Sequence, residues 1–335
     1  MPPRERRPTL RDIAEETGLS SAAVSYALRG LQVPLETQQR VKEVAERLGY
    51  QVDPIARALA SGRTGYVGVL CGSLQDSWQQ SLAADLGRGL MEAKRNALIV
   101  DASNDPQLEA SLAQQLVDQR VDALICLPVD PGGAHWARIA RKAVLVSIGD
   151  GLPGAATAAE VVFDNAGAVT DALTRLAGVG HNRVAVLTPV GVSTPDRPAE
   201  SVVPRVSREL GIRATLHSSP HDLDGACAVA SKVLVGAEPP TAFLCLADSI
   251  AYGVYAAGLE LGLRVPQDIS VIGFDDYPVS RLLTAPLSSY RWPVEELVAA
   301  VVQRTVQAVD HGKRSKRKVL HATPQMRGSV KPPRT

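Results

Sequence analysis

The later part of the sequence alternates between short apolar runs and amphipathic stretches, and this alternation constrains the fold more than any other feature. Helical patterns such as residues 79–94 and 106–120 separate the apolar runs. Short runs rich in Val, Ile and Leu are typical of strands buried on both faces, in parallel sheets flanked by helices. Residues 64 to about 325 are therefore predicted to form an α/β core. The runs are YVGVLCG, ALIVDAS, VDALICLP, AVLVSIG, VVFD, RVAVLTP, TAFLCLAD and SVIGFDD.

The N-terminal part of the chain has a helical spacing of apolar residues throughout. Thr9 has the side chain of an N-cap, Gly18 is predicted to end the first helix in the left-handed conformation, and Ser20 is predicted to cap the second. Two short helices joined across a glycine, with the small Ala14 where they would cross, are typical of a helix-turn-helix. A third helix is predicted over residues 35–48. A plain three-helix bundle that binds nothing has the same spacing, so both interpretations stay open on this evidence.

The segment QVDPIARALASGR joins the two parts. Asp53 is predicted to cap, and Pro54 to open, a short Ala-rich helix that ends at Ser61 and Gly62. A two-turn helix is unstable alone in water because helix nucleation is costly. This segment is therefore predicted to fold only against a partner.

The charge of the chain says little about its partners as a whole. The formal net charge is +1, and residues 1–63 hold ten Lys and Arg against eight Asp and Glu. Arg4, Arg6 and Arg7 cluster near the start. Any attraction to phosphate must therefore depend on where the charges lie.

The cysteines and the hydropathy pattern indicate in which cellular compartment the protein is found. The four cysteines are far apart and lack metal-ligand spacing, so buried thiols in a reducing compartment are expected. There is no apolar stretch of about 18 residues, and the N-terminus lacks the apolar segment of a signal peptide. We expect a cytoplasmic protein with no membrane contact, no metal and no cofactor. The cysteines are Cys71, Cys126, Cys227 and Cys245.

Motifs spread over most of the chain resemble the lactose/galactose repressor (LacI/GalR) family. Each motif is short, and their order and spacing carry the resemblance. The motifs are TLRDIAEETGLSSAAVSYAL, VKEVAERLGY, ARALASGRTGYVGVL, VVFDNAGA, LAGVGHNRVAVLTP, TAFLCLADSIAYGV, GLRVPQDISVIGFDD and a closing RGS.

The resemblance implies three domains. Residues 1–50 would form an all-α helix-turn-helix DNA-binding head, and residues 51–63 a hinge helix and linker. Residues 64–335 would form a two-lobed core like a periplasmic sugar-binding protein, responsible for effector binding and dimerisation.

The resemblance also implies that the chain crosses three times between the two lobes of the core. The first lobe would hold about residues 64–163 and 290–320, and the second about 164–289 and 321–330. An effector would bind in the cleft, where loops at the carboxyl ends of the strands converge.

The implied function is transcriptional regulation, most simply repression. A homodimer, or a higher oligomer built from it, would bind a near-palindromic operator in double-stranded DNA. A small-molecule effector, a sugar or related metabolite of unknown identity, would control the affinity for DNA.

The second helix of the head, quoted as SAAVSYAL, carries no charge. In the family, residues just after the capping serine and the one six positions past it face base edges, and here these are Ser21, Ala22 and Tyr26. The bidentate contact of arginine with guanine is therefore missing at these places, so specificity should depend more on DNA shape, hinge insertion and dimer spacing. Ser25 and Thr37 are placed to contact phosphate.

Leu59 takes the place of the family's leucine that is wedged into a base step of the minor groove. A leucine buried within the hinge is the alternative. Gln38 stands where the family commonly has an arginine, and the turn RGLQVPLE is one residue shorter than usual. The residues assigned to DNA contact are Thr9, Leu10, Ser20, Ser21, Ala22, Ser25, Tyr26, Arg29, Thr37 and Leu59.

Effector residues carry over from the family motifs with more departures. Asp275 in GFDD matches the acid that bonds ligand hydroxyls, Arg197 falls where the family keeps an effector-clamping arginine, and Asp248 corresponds to the acid of an Asn-Asp pair. Trp78 and Trp292 are interpreted either as stacking platforms for a sugar or as core residues. The residues assigned to the effector are Ser73, Trp78, Ser147, Arg197, Asp248, Asp275 and Trp292.

Three further features have competing interpretations. The adjacent pair Asp275–Asp276 suggests acid–base catalysis or a metal site, but neighbours in an extended stretch point to opposite sides. His181 in GHNR is interpreted as structural. The basic segment KRSKRK, residues 313–318, is expected to be a solvated loop, with DNA contact as the alternative.

Two other functions remain open at this point. An α/β enzyme with a DNA-binding head is disfavoured, because the sequence has no G-x-S-x-G, no P-loop and no G-x-G-x-x-G after a strand. A regulator of the same fold that answers to a partner protein stays open as the second alternative, because the sequence departs from the family pattern at Ser73, Ala247 and Val202. We therefore expect that the chain is not an enzyme.

Overall fold

The computed structural model describes residues 8–31, 33–50, 62–191 and 193–334. The chain divides into two compact units, Met1–Thr64 and Gly65–Thr335. No helix in the described ranges is both long enough and apolar enough to cross a lipid bilayer.

The N-terminal unit contains three helices, α1 (Leu10–Thr17), α2 (Ser21–Leu28) and α3 (Leu35–Arg47). Thr9 and Asp12 form a reciprocal capping box at the start of α1, and Gly18 ends that helix with a φ of 69°. The Ser20 hydroxyl accepts a hydrogen bond from the Ala23 N–H at 3.2 Å and caps α2. The caps predicted at Thr9, Gly18 and Ser20 are confirmed, whereas the hinge helix predicted between Asp53 and Ser61 lies outside the described residues.

One apolar face of each helix forms the core of this unit. Val24 and Ala27 of α2 have no exposed surface, and Ala14 is small enough for α1 and α2 to pack closely. In the turn before α3, the Gln38 side-chain amide donates a hydrogen bond to the Val33 carbonyl at 2.8 Å. Gln38, which stands where the family commonly has an arginine, therefore stabilises the short turn before α3.

The second unit holds two six-stranded sheets. The first sheet has the order β11-β5-β4-β3-β1-β2 and is parallel throughout. Its strands are β1 (Tyr66–Cys71), β2 (Asn96–Asp101), β3 (Ala123–Cys126), β4 (Val144–Gly149), β5 (Ala159–Phe163) and β11 (Lys318–Leu320). Its helices are α4 (Ser77–Glu92), α5 (Pro106–Asp118), α6 (His135–Ile139) and α11 (Val294–His311).

The second sheet has the order β12-β10-β9-β8-β6-β7. Its strands are β6 (Arg183–Pro189), β7 (Arg213–Ser219), β8 (Ala242–Cys245), β9 (Ser270–Phe274), β10 (Ser288–Arg291) and β12 (Thr323–Gln325). Its helices are α7 (Asn165–Gly178), α8 (Ala199–Leu210), α9 (Leu223–Leu234) and α10 (Asp248–Glu260), with a 3₁₀ turn at Pro278–Arg281. The predicted parallel sheets flanked by helices are confirmed, and edge strand β12, which runs antiparallel to β10, is an addition that the sequence did not indicate.

The chain passes between the two sheets after β5, after β10 and between β11 and β12. Tyr290 and Arg291 belong to β10 of the second sheet, and β10 pairs with β9 through Tyr290 before the chain leaves that sheet. The return to the first lobe was expected at about residue 290, next to the end of this strand. Each sheet with its helices is called a lobe below.

The four cysteines are buried and unpaired, as predicted. Burial raises the pKa of the Cys71 thiol to about 12, with the nearby carboxylates of Asp101 and Asp76 adding to the shift. His181 is also buried and contacts Thr241 Oγ1 at 2.8 Å and the Lys331 carbonyl at 3.0 Å. Its structural role is confirmed.

Candidate DNA-binding surface and effector cleft

The exposed face of α2 carries the predicted base-reading residues. Ser21, Ala22 and Tyr26 are exposed, whereas Val24 and Ala27 on the opposite face are buried. Ser20 holds the first turn of this helix through its cap. The head therefore presents two small residues and one phenol on a rigid helix.

Arg29 brings a positive charge to the end of the same face. Its guanidinium lies over the Tyr26 ring, 5.2 Å from the centroid, and its Nε donates a hydrogen bond to the Ser25 carbonyl at 3.2 Å. A guanidinium over an aromatic face is attracted by the ring quadrupole. The uncharged helix α2 thus has a cation held beside its tyrosine, a contact that was not predicted from the sequence.

The other predicted DNA residues have different surroundings. The Thr9 hydroxyl is engaged with Asp12 at 2.8 Å, and Leu10 packs against the head core. Thr37 lies partly exposed in the first turn of α3, where no side chain caps the helix. The open N–H groups of that turn are suited to a phosphate. Leu59 lies outside the described residues.

Asp275 follows β9 at the edge where the carboxyl ends of the second-sheet strands meet. Its N–H donates to the Tyr290 carbonyl at 2.8 Å, and its side chain is partly buried. Burial raises the pKa of this carboxyl well above its usual range, and the carboxylates of Asp248 and Asp76 add to the rise. Asp76 caps α4 in the first lobe, so the two lobes bring acids to one place.

Asp275 and Asp276 were expected to lie in an extended stretch, but the backbone at these two residues is not extended. Both residues have positive φ angles, 96° and 51°. The separation of their side chains still holds, because the Asp276 carboxylate is buried against Arg291 and Arg327. The pair therefore shares no common reaction site.

Asp248 begins α10 and is buried beneath the loop that follows Asp275. Its Oδ2 accepts hydrogen bonds from the Tyr277 N–H at 2.8 Å and the Ser280 hydroxyl at 2.5 Å, and its Oδ1 accepts one from the Ser289 hydroxyl at 2.6 Å. Burial raises its pKa to about 6, and these hydrogen bonds oppose the rise. The geometry makes Asp248 a support for the loop that carries Asp275.

Arg197 lies in the loop before α8 and reaches the first lobe. Its Nε is 2.6 Å from Asp150 Oδ2, and its Nη2 donates to the Pro128 carbonyl at 2.8 Å. Thr194 in the same loop donates to Asp150 Oδ1 at 2.5 Å. Burial raises the pKa of Asp150, although the Arg197 charge and the Thr194 hydroxyl oppose the rise. The guanidinium expected to clamp an effector is therefore bound to a carboxylate of the opposite lobe.

Trp78 and Trp292 pack against the same aromatic ring. Both contact Phe163, with ring centroids 5.6 Å and 4.5 Å away, and Trp292 also faces Phe274 at 6.3 Å. Trp292 is almost fully buried, as expected for a core residue. Trp78 is partly exposed, and its buried Nε1–H has no hydrogen-bond partner among the described residues.

The two predicted serines are both buried. The Ser73 hydroxyl accepts a hydrogen bond from the Gln75 N–H at 3.2 Å and shapes the loop after β1. The Ser147 hydroxyl, in β4, finds no partner among the described residues. A polar atom without a partner is costly in a protein interior, so a small movement that gives it one would be favourable.

Two cavities have other linings, although one of them adjoins the Arg197–Asp150 pair. One of about 330 Å³ opens between the lobes beside Gly151, Thr194, Asp196 and Arg317. Another of about 510 Å³ lies at the outer edge of the second sheet, beside Arg213. None of the seven predicted effector residues lines either cavity. Within the described ranges, no group of three or more His, Cys, Asp or Glu is arranged to hold a metal.

Several residues that join the lobes were not predicted as functional. The Tyr277 hydroxyl contacts the Ser81 hydroxyl at 3.0 Å and donates to the Ser77 carbonyl at 3.2 Å. Arg317, in the segment expected to be a solvated loop, pairs with Asp196 across the cleft. Its neighbour Lys318 pairs with Glu296 at 2.7 Å, so part of the basic segment is structural.

The chain is 30% identical over 317 residues to the HTH-type transcriptional regulator MalR of Streptomyces coelicolor, and the alignment covers 90% of each protein. The chain belongs to the LacI family of transcriptional regulators. A sequence profile of the periplasmic binding protein-like domain matches residues 173–330.

Two solved structures share the fold of this LacI-family chain. A lac repressor dimer bound to operator and the anti-inducer ONPF has a TM-score of 0.85 at 21% identity, covering 97% of this chain and all of that one. The complex of the transcriptional regulator CelR with cellobiose has a TM-score of 0.68 at 22% identity, with the same coverage. The protein is thus a DNA-binding transcriptional regulator with a periplasmic-binding-protein-like core.

Proposed function

We propose that this regulator represses transcription as a dimer on a near-palindromic operator, and that a neutral, sugar-like effector in the core cleft controls DNA affinity. The main support for this proposal is the exposed face of α2, where Ser21, Ala22 and Tyr26 lie close to Arg29, whose guanidinium stacks on the Tyr26 ring. A capped helix of this size fits the major groove.

The chemistry of that face sets how the operator is read. Ser21 donates or accepts one hydrogen bond, Ala22 contacts a thymine methyl, and Tyr26 offers a hydroxyl at the end of an apolar ring. The Arg29 guanidinium, held by the ring, adds a cation for a phosphate or a guanine. With so few charged contacts to bases, DNA shape and deformability carry a large share of the specificity.

The cleft supports a polyhydroxylated effector. Trp78 supplies a partly exposed aromatic surface whose Nε1–H has no hydrogen-bond partner among the described residues, and Asp275 is held at the strand edge through its backbone N–H. Sugars present apolar ring faces together with hydroxyl donors, which match an aromatic ring and a carboxylate. Arg197, the family's clamping residue, is already neutralised by Asp150, so it does not favour an anionic effector.

The core is proposed to supply the dimer contact. Leu259 of α10 and Leu282, just after the 3₁₀ turn, are 83% and 82% exposed. Such exposure is unusual for large apolar side chains, and neighbouring exposed apolar residues often mark an interface. Tyr255, one turn before Leu259, donates its hydroxyl to the Ala285 carbonyl at 2.6 Å and ties the two segments together. A second copy of the chain would cover this apolar surface, and the lac repressor of similar fold is described as a dimer.

The proposal includes no catalytic step. Asp248 and Asp276, the buried acids of the cleft loop, have their carboxylate oxygens occupied by hydrogen bonds or ion pairs. Because a regulator that binds an operator must reach chromosomal DNA, we infer that this protein acts in the cytoplasm.

DNA binding is tested by selecting duplexes from a random pool with the full chain and measuring affinity by fluorescence anisotropy. Arg29→Gln should weaken binding about tenfold, because a charge-assisted hydrogen bond contributes about 1.5 kcal/mol or more. Arg47→Gln is the matched control, since Arg47 is exposed and paired with Glu16 at the surface. Failure to enrich any sequence, or equal loss in both variants, would contradict the proposed surface.

The effector site is tested by thermal shift of the full chain with a panel of neutral sugars, because a ligand that binds only the folded state stabilises it. Asp275→Ala should weaken binding of any stabilising sugar by about tenfold to a hundredfold, since a hydrogen bond to a charged group contributes about 1.5–3 kcal/mol. DNA affinity without sugar should stay unchanged. An unaltered sugar response in a folded variant would place the effector elsewhere.

A further inference from the structure

Three arginines converge on the single buried carboxylate of Asp276. Arg291 Nε donates to Asp276 Oδ2 at 2.7 Å, and its Nη2 contacts the same oxygen. Arg327 Nη2 lies 2.5 Å from Oδ1, and Arg281 Nη2 lies 3.8 Å from Oδ2. The three come from β10, from the C-terminal segment and from the 3₁₀ turn, so the convergence is produced by the fold of the second lobe.

The charges in this group do not balance. Taken alone, the Asp276 carboxylate and the three guanidinium groups have an excess of two positive charges, which the nearby Asp248 carboxylate reduces without cancelling it. Among the described residues, Arg281 makes no ion pair with any other acid. Like charges held close together repel, and a further anion would relieve that repulsion.

The three arginines differ in how much of each reaches solvent. The Arg327 side chain is 17% exposed and also donates to the Leu287 carbonyl at 2.7 Å, so its role is to hold Asp276. Arg281 and Arg291 are 56% and 45% exposed. Each therefore keeps N–H donors that point away from Asp276 and are open to a ligand.

A guanidinium presents its donors in a planar fork that matches two oxygens of a phosphate or sulfate. Two such forks beside each other suit a tetrahedral oxyanion, which has oxygens enough for both. We propose that Arg281 and Arg291 form a surface site for a small phosphate-type dianion, positioned by Asp276 and Arg327. Neutral sugars, the proposed occupants of the cleft, lack the charge that this site selects.

The site lies next to the cleft without being part of it. Asp276 directly follows Asp275, and the Asp275 N–H is bonded to the carbonyl of Tyr290, the neighbour of Arg291. Asp276 itself is tied to β10 through the Ser289 hydroxyl at 3.0 Å. An anion on Arg281 and Arg291 thus contacts the same loop and strand that hold the effector acid.

The test is a thermal melt of the full chain in sodium phosphate and in sodium chloride at matched pH and ionic strength, with calorimetric titration of phosphate. At about 100 times its dissociation constant, phosphate should raise the melting temperature by roughly 5 °C. Arg281→Gln should weaken phosphate binding at least about tenfold while leaving the melting temperature in chloride unchanged or higher.

Arg264→Gln is the matched control, because Arg264 is a similarly exposed guanidinium that pairs with Asp268. It should keep the full phosphate response. If Arg281→Gln does not fold, Arg281→Lys retains the charge without the fork and should bind phosphate more weakly than the wild-type chain. Equal melting temperatures of the wild-type chain in phosphate and chloride, or an unchanged response in the Arg281 variant, would overturn the proposal.

Discussion

Arg197 of the second lobe lies 2.6 Å from Asp150 of the first, and this ion pair joins the lobes across the cleft. Asp150 is almost completely buried, and Thr194 donates a hydrogen bond to its other oxygen. The closed arrangement of the core is therefore stabilised by groups of the chain itself. An effector that needs Arg197 has to replace Asp150.

Asp150→Asn should loosen this closure. Breaking a fully buried ion pair costs about 3–5 kcal/mol, and we expect about 1–2 kcal/mol here because Arg197 is 40% exposed. Small-angle scattering should show a larger radius of gyration, and denaturant titration the loss of stability. Arg205→Gln removes an exposed pair with Glu209 on α8 and should cost less than about 0.5 kcal/mol. Equal effects of the two variants would mean that Asp150 does not hold the lobes together.

Glu109 should make the stability of the core depend on pH. Its buried carboxylate accepts hydrogen bonds from the Val129 and Asp130 N–H groups and lies 3.7 Å from His135 Nε2. Burial raises its pKa from 4.5 to about 7, although the two N–H groups oppose the rise. A carboxyl whose pKa is raised on folding adds stability below its unfolded pKa and loses it as the pH passes the folded value.

The measurement is the free energy of unfolding of the wild-type chain and of Glu109→Gln between pH 4.5 and 7.5. The wild-type chain should lose up to about 3 kcal/mol relative to the variant over this interval. Glu92→Gln, an exposed change at the end of α4, should follow the wild-type profile. Parallel profiles for the wild-type chain and Glu109→Gln would show that Glu109 does not titrate in this range.

Leu282→Glu should disrupt the dimer. The substitution places a charge in an apolar surface that a second copy is proposed to cover, and desolvating that charge would cost several kcal/mol. Analytical ultracentrifugation should show monomers, and operator affinity should fall at least tenfold, because two coupled heads bind far better than one. Leu223→Glu, an exposed change at the start of α9, is the control and should remain dimeric. A stable Leu282→Glu dimer would place the interface elsewhere.

Leu59→Ala should reduce operator specificity more than Tyr26→Phe. A leucine wedged into a base step makes binding depend on the cost of kinking that step, whereas Tyr26→Phe removes a single hydroxyl from α2. Binding to scrambled DNA depends mainly on phosphates and should change little in either variant. Fluorescence anisotropy on operator and scrambled duplexes at one salt concentration measures the loss of specificity in each variant. A larger loss for Tyr26→Phe would make its hydroxyl the main reader of bases.

Local features of the fold could be predicted from the sequence because they depend on neighbours in the chain. Thr9, Gly18 and Ser20 act within one helical turn, and the alternation of apolar runs with amphipathic segments is enough to predict strands and helices. The antiparallel edge strand β12 was missed, because three residues carry too little pattern to show direction.

The site was harder to predict, because its contacts join distant parts of the chain. The Arg197–Asp150 pair depends on how the lobes close, which no local pattern records. The positive φ angles of Asp275 and Asp276 were unexpected, since glycine is the usual residue in that conformation. Arg29 was assigned to DNA from the family pattern, but its stacking on Tyr26 was not foreseen.

The two edge strands β11 and β12 lie within residues 318–325, although β11 pairs with β5 of residues 159–163 and β12 pairs with β10 of residues 288–291. During translation, the ribosome therefore releases the head and most of both sheets while β5 and β10 still have open edges. Unpaired edges are where chains associate wrongly. We therefore expect a nascent chain of this regulator to be prone to aggregation until residues 318–325 emerge, and chaperones that shield strand edges would act in this interval.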